Sequence, residues 1–354
     1  MKRKIVISLH NPSLVISSIP EDWEYYSIVT PLEFKSLPYV FDDCEIYPWG
    51  DTAYNIVSET IDKPQFGFSK MLSYICNHKY ICRSTLQSMK SIPYKICKNN
   101  RIEWKEDENK KLIAKPIHGS GSRDIHIVYH GDNVPDIKED YIVEEYIDDS
   151  HPRLSIDGYI CDGVVGILSI WDSVYDKDKP LQFNYLQYPS VHRDNSNVID
   201  KYVEVVKELY NRFHCNRQII DIEFFLVGDE VKVMEINPRI GGNYLPIYEE
   251  VTGYNPWKCY ESLYQGKIPQ RTCSEKNGLC AYNYNYAPIK GIYQHYFDKS
   301  LPTISSTIFR KQEKNIFSIV ESPGAFGYSH TYIYSSTHDI NEMYTILKQQ
   351  QALL

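Results

Sequence analysis

DIEFFLVGDEVKVMEINPRIGG, residues 221–242, is the stretch that decides how this chain folds. Ile222–Val227 is β-branched and aromatic apart from one acid, Glu223. Gly228-Asp229-Glu230 has turn chemistry, and Val231–Ile236 alternates and carries a second acid, Glu235. The stretch therefore reads as a β-hairpin, and loop length decides where its acids point. A two-residue loop puts Glu223 and Glu235 on opposite faces. A three-residue loop, Gly228-Asp229-Glu230, puts them opposite each other on one face, with Asn237 two residues further along; that loop is adopted here. Like charges opposed across strands are unfavourable. A hard dication between them would reverse the sign, and Glu223, Glu235 and the Asn237 carbonyl are oxygen ligands suited to Mg²⁺. Arg239 adds a fixed cation, and Gly241-Gly242 allows backbone close to a bound group. On their own the two acids equally fit an ordinary hairpin with solvated carboxylates.

The longer string, acid, turn, then E-I-N-P-R-x-G-G, resembles the metal-binding signature of the ATP-grasp superfamily, whose members mostly join a carboxylate to an amine at the expense of ATP. The resemblance implies an α/β fold, α+β in part, like that of biotin carboxylase, carbamoyl-phosphate synthase and D-Ala-D-Ala ligase. Nucleotide would lie between two α+β lobes behind a short N-terminal α/β domain. The expected division is 1–75 for that domain, 76–145 for the small lobe and 146–354 for the large lobe with its closing layer. ATP and one or two Mg²⁺ ions are implied, with Mn²⁺ an option. The implied metal ligands are Glu223, Glu235 and Asn237.

Upstream segments are similar to the family in the same order. Leu112–Pro116 is a strand ending in Lys115, followed by the Gly/Ser-rich His118–Arg123 and a second strand, Ile125–Tyr129. Such a loop is often a plain hairpin, but its N–H groups can also wrap an anion. By resemblance Lys115 binds the α- and β-phosphates, and Gly119, Ser120, Gly121 and Ser122 form a mobile cover. Lys79, read as lying between helices over Gly67–Tyr80 and Ser84–Lys90, takes a second phosphate-binding role; by itself it is equally a solvated lysine. Tyr141–Asp148 reads as a strand with solvent-facing acids. The family's adenine-binding hinge maps onto the backbone of Glu144, Glu145, Tyr146 and Ile147. The resemblance gives Arg239 and Lys115 the catalytic roles. Arg153 stands where many relatives carry a glutamate near the ribose. Asn197–Cys215 has the 3.6-residue period of an amphipathic helix.

The chain has 354 residues, room for two or three compact units. Its 24% charged and 42% hydrophobic residues are a globular balance. A net charge of -8 with no long basic tract disfavours nucleic acid. Nine cysteines without a CxxC pair argue against zinc and for a reducing, cytoplasmic setting. In MKRKIVISLH the apolar run is too short for a signal core and reads as a first strand. No segment reaches the roughly 20 apolar residues of a membrane span. The 31 tyrosines have no repeat spacing. The expected partners are small-molecule carboxylate and amine substrates; dimers are common among relatives, which leaves a homodimer open. Three functions follow: a carboxylate–amine ligase forming ADP and phosphate, a small-molecule kinase of the same fold, or a non-catalytic nucleotide-binding module. Arg193, Arg217, His192 and Tyr244 are candidates to touch a substrate carboxylate.

Overall fold

The structure, a computed structural model, describes residues 2–8, 18–28, 30–37, 43–97, 101–105, 107, 109–118, 124–134, 140–175, 183–242, 244–283, 310–314, 317–323 and 329–351. The chain begins with a parallel three-stranded sheet, order β2-β1-β3, from β1 (Arg3–Ser8), β2 (Glu24–Ser27) and β3 (Cys44–Trp49). Ile5 and Ile7 enter one core with Phe34, Ile46, Ile56 and Val57, whereas Val6 enters another with Trp23, Tyr47 and Trp49. Burial on both faces explains why β1 is an unbroken apolar run. Helices α1 (Pro31–Lys35) and α2 (Asp51–Ile61) flank this sheet.

Two short helices follow, α3 (Lys70–Asn77) and α4 (Lys79–Thr85). Here the helices read over Gly67–Tyr80 and Ser84–Lys90 are corrected. The break falls at His78, whose ring Nδ1 accepts the Ile81 N–H at 3.3 Å and caps a new helix. Lys79 therefore opens α4, and a 3₁₀ turn, Gln87–Met89, ends the segment. A four-stranded antiparallel sheet comes next, order β4-β7-β5-β6, from β4 (Tyr94–Cys97), β5 (Leu112–Pro116), β6 (His126–Val128) and β7 (Tyr141–Glu145). Trp104, Ile102, Leu112, Val128 and Val143 form its core.

The rest is organised on a nine-stranded sheet, order β12-β11-β8-β9-β10-β13-β16-β15-β14. Its strands are β8 (Arg153–Cys161), β9 (Val164–Tyr175), β10 (Phe183–Tyr188), β11 (Gln218–Val227), β12 (Glu230–Asn237), β13 (Asn277–Asn283), β14 (Arg310–Lys314), β15 (Phe317–Pro323) and β16 (Ser329–Ser335). Helix α5 (Ser196–Phe213) lies on one face, burying Val198, Tyr202, Val205, Val206 and Leu209 against Ile156, Ile220, Ile222, Phe224 and Ile236. The helical period read from the sequence is met within a residue or two at each end. The opposite face packs on α6 (Tyr248–Thr252) and α7 (Pro256–Tyr264) through Trp171, Tyr159, Tyr244, Tyr248 and Trp257. Trp171 stacks on Tyr244 at 4.3 Å between centroids. Several of the many tyrosines thus form one aromatic core, in which large rings bury much area. Helix α8 (Ile340–Gln351) closes the described chain; the Asp339 carboxylate caps it by accepting the Glu342 N–H at 2.9 Å.

Gly158 lies at a close approach of β8, β9 and α5. A Cβ there would overlap the Gly166 carbonyl oxygen and the Tyr202 hydroxyl, which itself donates to the Ile220 carbonyl. Gly158→Ala should cost about 1–3 kcal/mol of stability by overpacking, read as an earlier urea midpoint. An unchanged midpoint would show a looser crossing. All nine cysteines are free thiols. Among the described residues no helix is long and apolar enough to cross a membrane.

Candidate active site

The hairpin of β11 and β12 sets the site. Its loop is not Gly228-Asp229-Glu230: Val227 pairs with Glu230, leaving the two-residue turn Gly228-Asp229, with Gly228 at φ 60°. This alone would throw the acids onto opposite faces. A bulge compensates: Phe224 pairs with Val233 but Glu223 pairs with Glu235, so Met234 is the extra residue. The acids are opposed, as read from the sequence, but by a different device.

One face of the sheet carries a polar row. Asp157 and Ser155 on β8 stand opposite Asp221 and Glu223 on β11, which stand opposite Asn237 and Glu235 on β12. Buried Asp157 accepts the Gly241 N–H and the Tyr244 hydroxyl at 2.8 Å each, and the Ser169 hydroxyl at 2.8 Å. Buried Asp221 accepts the Ser155 hydroxyl at 2.9 Å and the Asn237 Nδ2 at 3.2 Å. The Asn237 carbonyl oxygen is thus the amide atom not engaged by Asp221. Burial, then the facing Glu235 carboxylate, pushes Glu223 up to about 7, against Arg239, Arg153 and Lys115. Burial and Asp157 push Asp221 well above the usual carboxylate range. Among the described residues no group of three or more His, Cys, Asp and Glu side chains is arranged to hold a metal. The set at hand is two carboxylates and an amide, all oxygen donors, with two facing acids whose mutual repulsion a dication would relieve. These residues fit a Mg²⁺-type ion.

Arg239 lies mostly buried between two acids. Its Nε and Nη2 donate to the two carboxylate oxygens of Asp51 at 2.8 and 3.0 Å, and Nη1 to Asp221 at 3.4 Å. Asp51 opens α2, so this fork ties the parallel-sheet unit to the strand end that carries the acids.

The lysines come from α4 and β5. Lys79 Nζ stands 3.9 Å from Glu235. Lys115 Nζ donates to Glu144 at 2.7 Å. The other Glu144 oxygen accepts Arg83 Nε at 2.5 Å. Burial would raise the Glu144 carboxyl, but Arg83 and Lys115 outweigh it and hold it down to about 2. The acids read as solvent-facing are therefore corrected for Glu144, which is 3% exposed and ion-paired. Glu145 pairs with Lys110 at 2.8 Å. The N–H groups of Glu145 and Tyr146 donate to the Pro93 and Lys111 carbonyls. Any adenine contact from those two residues would use carbonyl oxygens. The strand read over Tyr141–Asp148 stops at Glu145, leaving Ile147 beyond it. Gly119, Ser120, Gly121 and Ser122 lie outside the described residues.

Arg153 faces the same row. Its guanidinium stacks on the rings of Tyr175 at 3.7 Å and Phe225 at 4.5 Å and pairs with Asp149. Of the substrate-carboxylate candidates, Tyr244 is buried in the Asp157 network. Arg217 pairs with Asp162, and Arg193 is exposed beside Asp194. Arg83, Asp51, Asp157 and Asp221 escape sequence reading. Only Asp221 has a local signal, standing two residues before Glu223 on the same strand face.

Residues 76–243 match the family model described as an ATP-grasp domain. No curated protein matches the sequence. Among solved structures, N5-carboxyaminoimidazole synthetase from Staphylococcus aureus, complexed with ADP, aligns with a TM-score of 0.66 at 11% identity, over 99% of this chain and 98% of its own. An L-amino acid ligase from Bacillus licheniformis aligns at 0.62 and 15%, over 98% and 96%. A phosphoribosylglycinamide synthetase from Anaerococcus prevotii aligns at 0.61 and 13%, over 98% and 97%. The domain match over residues 76–243, the fold shared over nearly the whole length and the acid-bearing hairpin agree on an ATP-grasp fold for this chain.

Proposed function

We propose that this chain is an ATP- and Mg²⁺-dependent ligase that activates a small-molecule carboxylate of the amino-acid type as an acyl phosphate and joins it to an amine. The observation that carries this reading is the opposition of Glu223 and Glu235, with Lys79 at 3.9 Å from Glu235. Solved structures named as an L-amino acid ligase and a synthetase complexed with ADP support it by fold.

A carboxylate does not condense with an amine at neutral pH, because oxide is a very poor leaving group. A carboxylate oxygen attacks the γ-phosphorus, the bond to the β–γ bridging oxygen breaks, and ADP leaves. The amine nitrogen then attacks the acyl carbon, phosphate departs, and the surplus proton passes to phosphate or solvent. The protein's part is positioning and charge. Lys79 and Lys115 hold phosphate oxygens. Glu223, Glu235 and Asn237 would hold one or two Mg²⁺ ions, and Mn²⁺ would also suit an oxygen site. When bound, the divalent ion neutralises phosphate charge. Arg239, fixed by Asp51 and Asp221, stands by as a set charge. By the family resemblance, Gly119, Ser120, Gly121 and Ser122 would cover the phosphates against water. The backbone of Glu144, Glu145, Tyr146 and Ile147 meets the adenine edge.

The test is phosphate release over paired amino acids and amines, with products identified by mass. A condensed product is expected, and Lys115→Ala should lower turnover by about 10²–10³-fold. A phosphorylated, uncondensed product would make the chain a kinase. Undiminished turnover in Lys115→Ala would overturn the site assignment.

A further inference from the structure

Arg83 is 1% exposed in the last turn of α4, and nothing in the proposed reaction uses it. Its donors go in two directions. Nε binds Glu144 on β7 at 2.5 Å, and the other oxygen of that carboxylate binds Lys115 Nζ at 2.7 Å. Nη1 and Nη2 bind the carbonyl oxygens of Val233 at 2.6 Å and Met234 at 3.1 Å, on β12. A further bond from Nη1 reaches the Met89 carbonyl at 3.1 Å.

The Val233 and Met234 bonds matter for register. Successive carbonyls of a regular strand point opposite ways, so one guanidinium cannot take both. It can here because Met234 is the bulged residue, and β12 is the edge of its sheet. Arg83 supplies donors where no neighbouring strand does, at the one irregularity that turns Glu235 toward Glu223. Without the bulge the two-residue turn would face Glu235 the other way. Lys79 lies four residues before Arg83, on the same face of α4, and stands 3.9 Å from Glu235. One buried guanidinium therefore connects Lys115, through Glu144, with the backbone that carries Glu235.

We propose that Arg83 is a positioning residue that sets Lys115 and Glu235 at the spacing a metal-bound nucleoside triphosphate needs. The inference rests on the nucleotide reading of the site. It places the coupling between the small-lobe lysine and the large-lobe acid in one side chain, and predicts that metal and nucleotide bind less well together without its planar fork. Lysine keeps the charge but cannot span the four acceptors from a planar fork.

Calorimetric titration of the full chain with ATP, in Mg²⁺ and in EDTA, tests this without turnover. The unsubstituted protein should bind ATP in a Mg²⁺-dependent way; if it does not, the nucleotide reading falls and takes this inference with it. Arg83→Lys should weaken Mg²⁺-ATP binding by about 10–100-fold, as loss of a residue orienting a metal ligand does. It should have little effect in EDTA. Combined with Glu235→Gln, its effect should be non-additive, the double variant binding no worse than Glu235→Gln alone. Additive losses, or binding by Arg83→Lys equal to that of the unsubstituted protein, would reduce Arg83 to a structural residue and overturn the proposal. If Arg83→Lys does not fold, Glu144→Gln approaches the same link from the other end while keeping side-chain shape. Its effect should also be non-additive with Glu235→Gln, and additivity there counts against the link.

Discussion

Glu235→Gln should lower ATP-dependent turnover by about 10²–10³-fold while making the metal-free protein more stable at pH 8. Both effects come from one arrangement, Glu235 directly across from Glu223. Burial and the Glu235 charge raise Glu223 from 4.5 to about 7. An acid whose folded-state pKa is raised costs stability as pH climbs above its unfolded value, and the full cost is present above the folded one. For Glu223 the window runs from 4.5 to about 7. Metal-free protein should therefore lose stability between pH 5 and pH 8, and Mg²⁺ should restore part of it at pH 8. In Glu235→Gln the opposing charge is gone, so the pH-dependent loss and the Mg²⁺ rescue should both shrink. Thermal unfolding at the two pH values, with and without Mg²⁺, reads this directly. Burial of Asp157 and Asp221 contributes in the same direction in both proteins, so the comparison between them isolates the Glu223 part. Equal pH dependence in the two would mean the acids do not feel each other.

Arg239→Ala should destabilise the fold by about 3–5 kcal/mol, the usual result of removing one partner from a buried ion pair. The change strands Asp221, which is 2% exposed, and frees Asp51 at the start of α2. Arg239→Lys should recover only part of the loss, because an ammonium cannot fork to both Asp51 oxygens. Asp51→Asn should cost less than Arg239→Ala, since Asp51 is a quarter exposed and Arg239 keeps Asp221. Denaturant unfolding of the two single variants and the double isolates the coupling between them. A cost below about 1 kcal/mol for Arg239→Ala, the range of exposed pairs, would show a solvated rather than a buried guanidinium. Turnover should fall as well, because the fork fixes the parallel-sheet unit against the strand that bears the acids.

How far the site was legible differs from residue to residue. Lys115 could be placed because a short apolar strand ends on it, and β5 has the bounds read from the sequence. The α5 helix could be placed because its apolar residues repeat at 3.6. Both are local signals. Lys79 was set in the wrong element, since a histidine cap between two helices leaves little trace in periodicity. Glu223 and Glu235 were paired correctly through a loop that does not exist. A three-residue loop and a two-residue turn with a bulge give the same register, and their sequences look alike. Arg83 stands among Tyr80, Ile81, Cys82 and Leu86 like any solvated helix cation; its burial depends on β7 and β12, far away in the chain.

The chain's order of apolar runs, turns and charged side chains settled by itself that there is an acid-bearing hairpin, and the string E-I-N-P-R-x-G-G carried the resemblance to the ATP-grasp fold, because those features depend on neighbours a few residues apart. Which guanidinium meets which acid was settled only in three dimensions. The Asp51–Arg239 fork and the Lys115–Glu144–Arg83 link join side chains that the sequence sets 188, 29 and 61 positions apart. Long-range pairs of this kind follow from how the sheets and helices pack, and their charges are committed only once burial has removed the water that would otherwise solvate them.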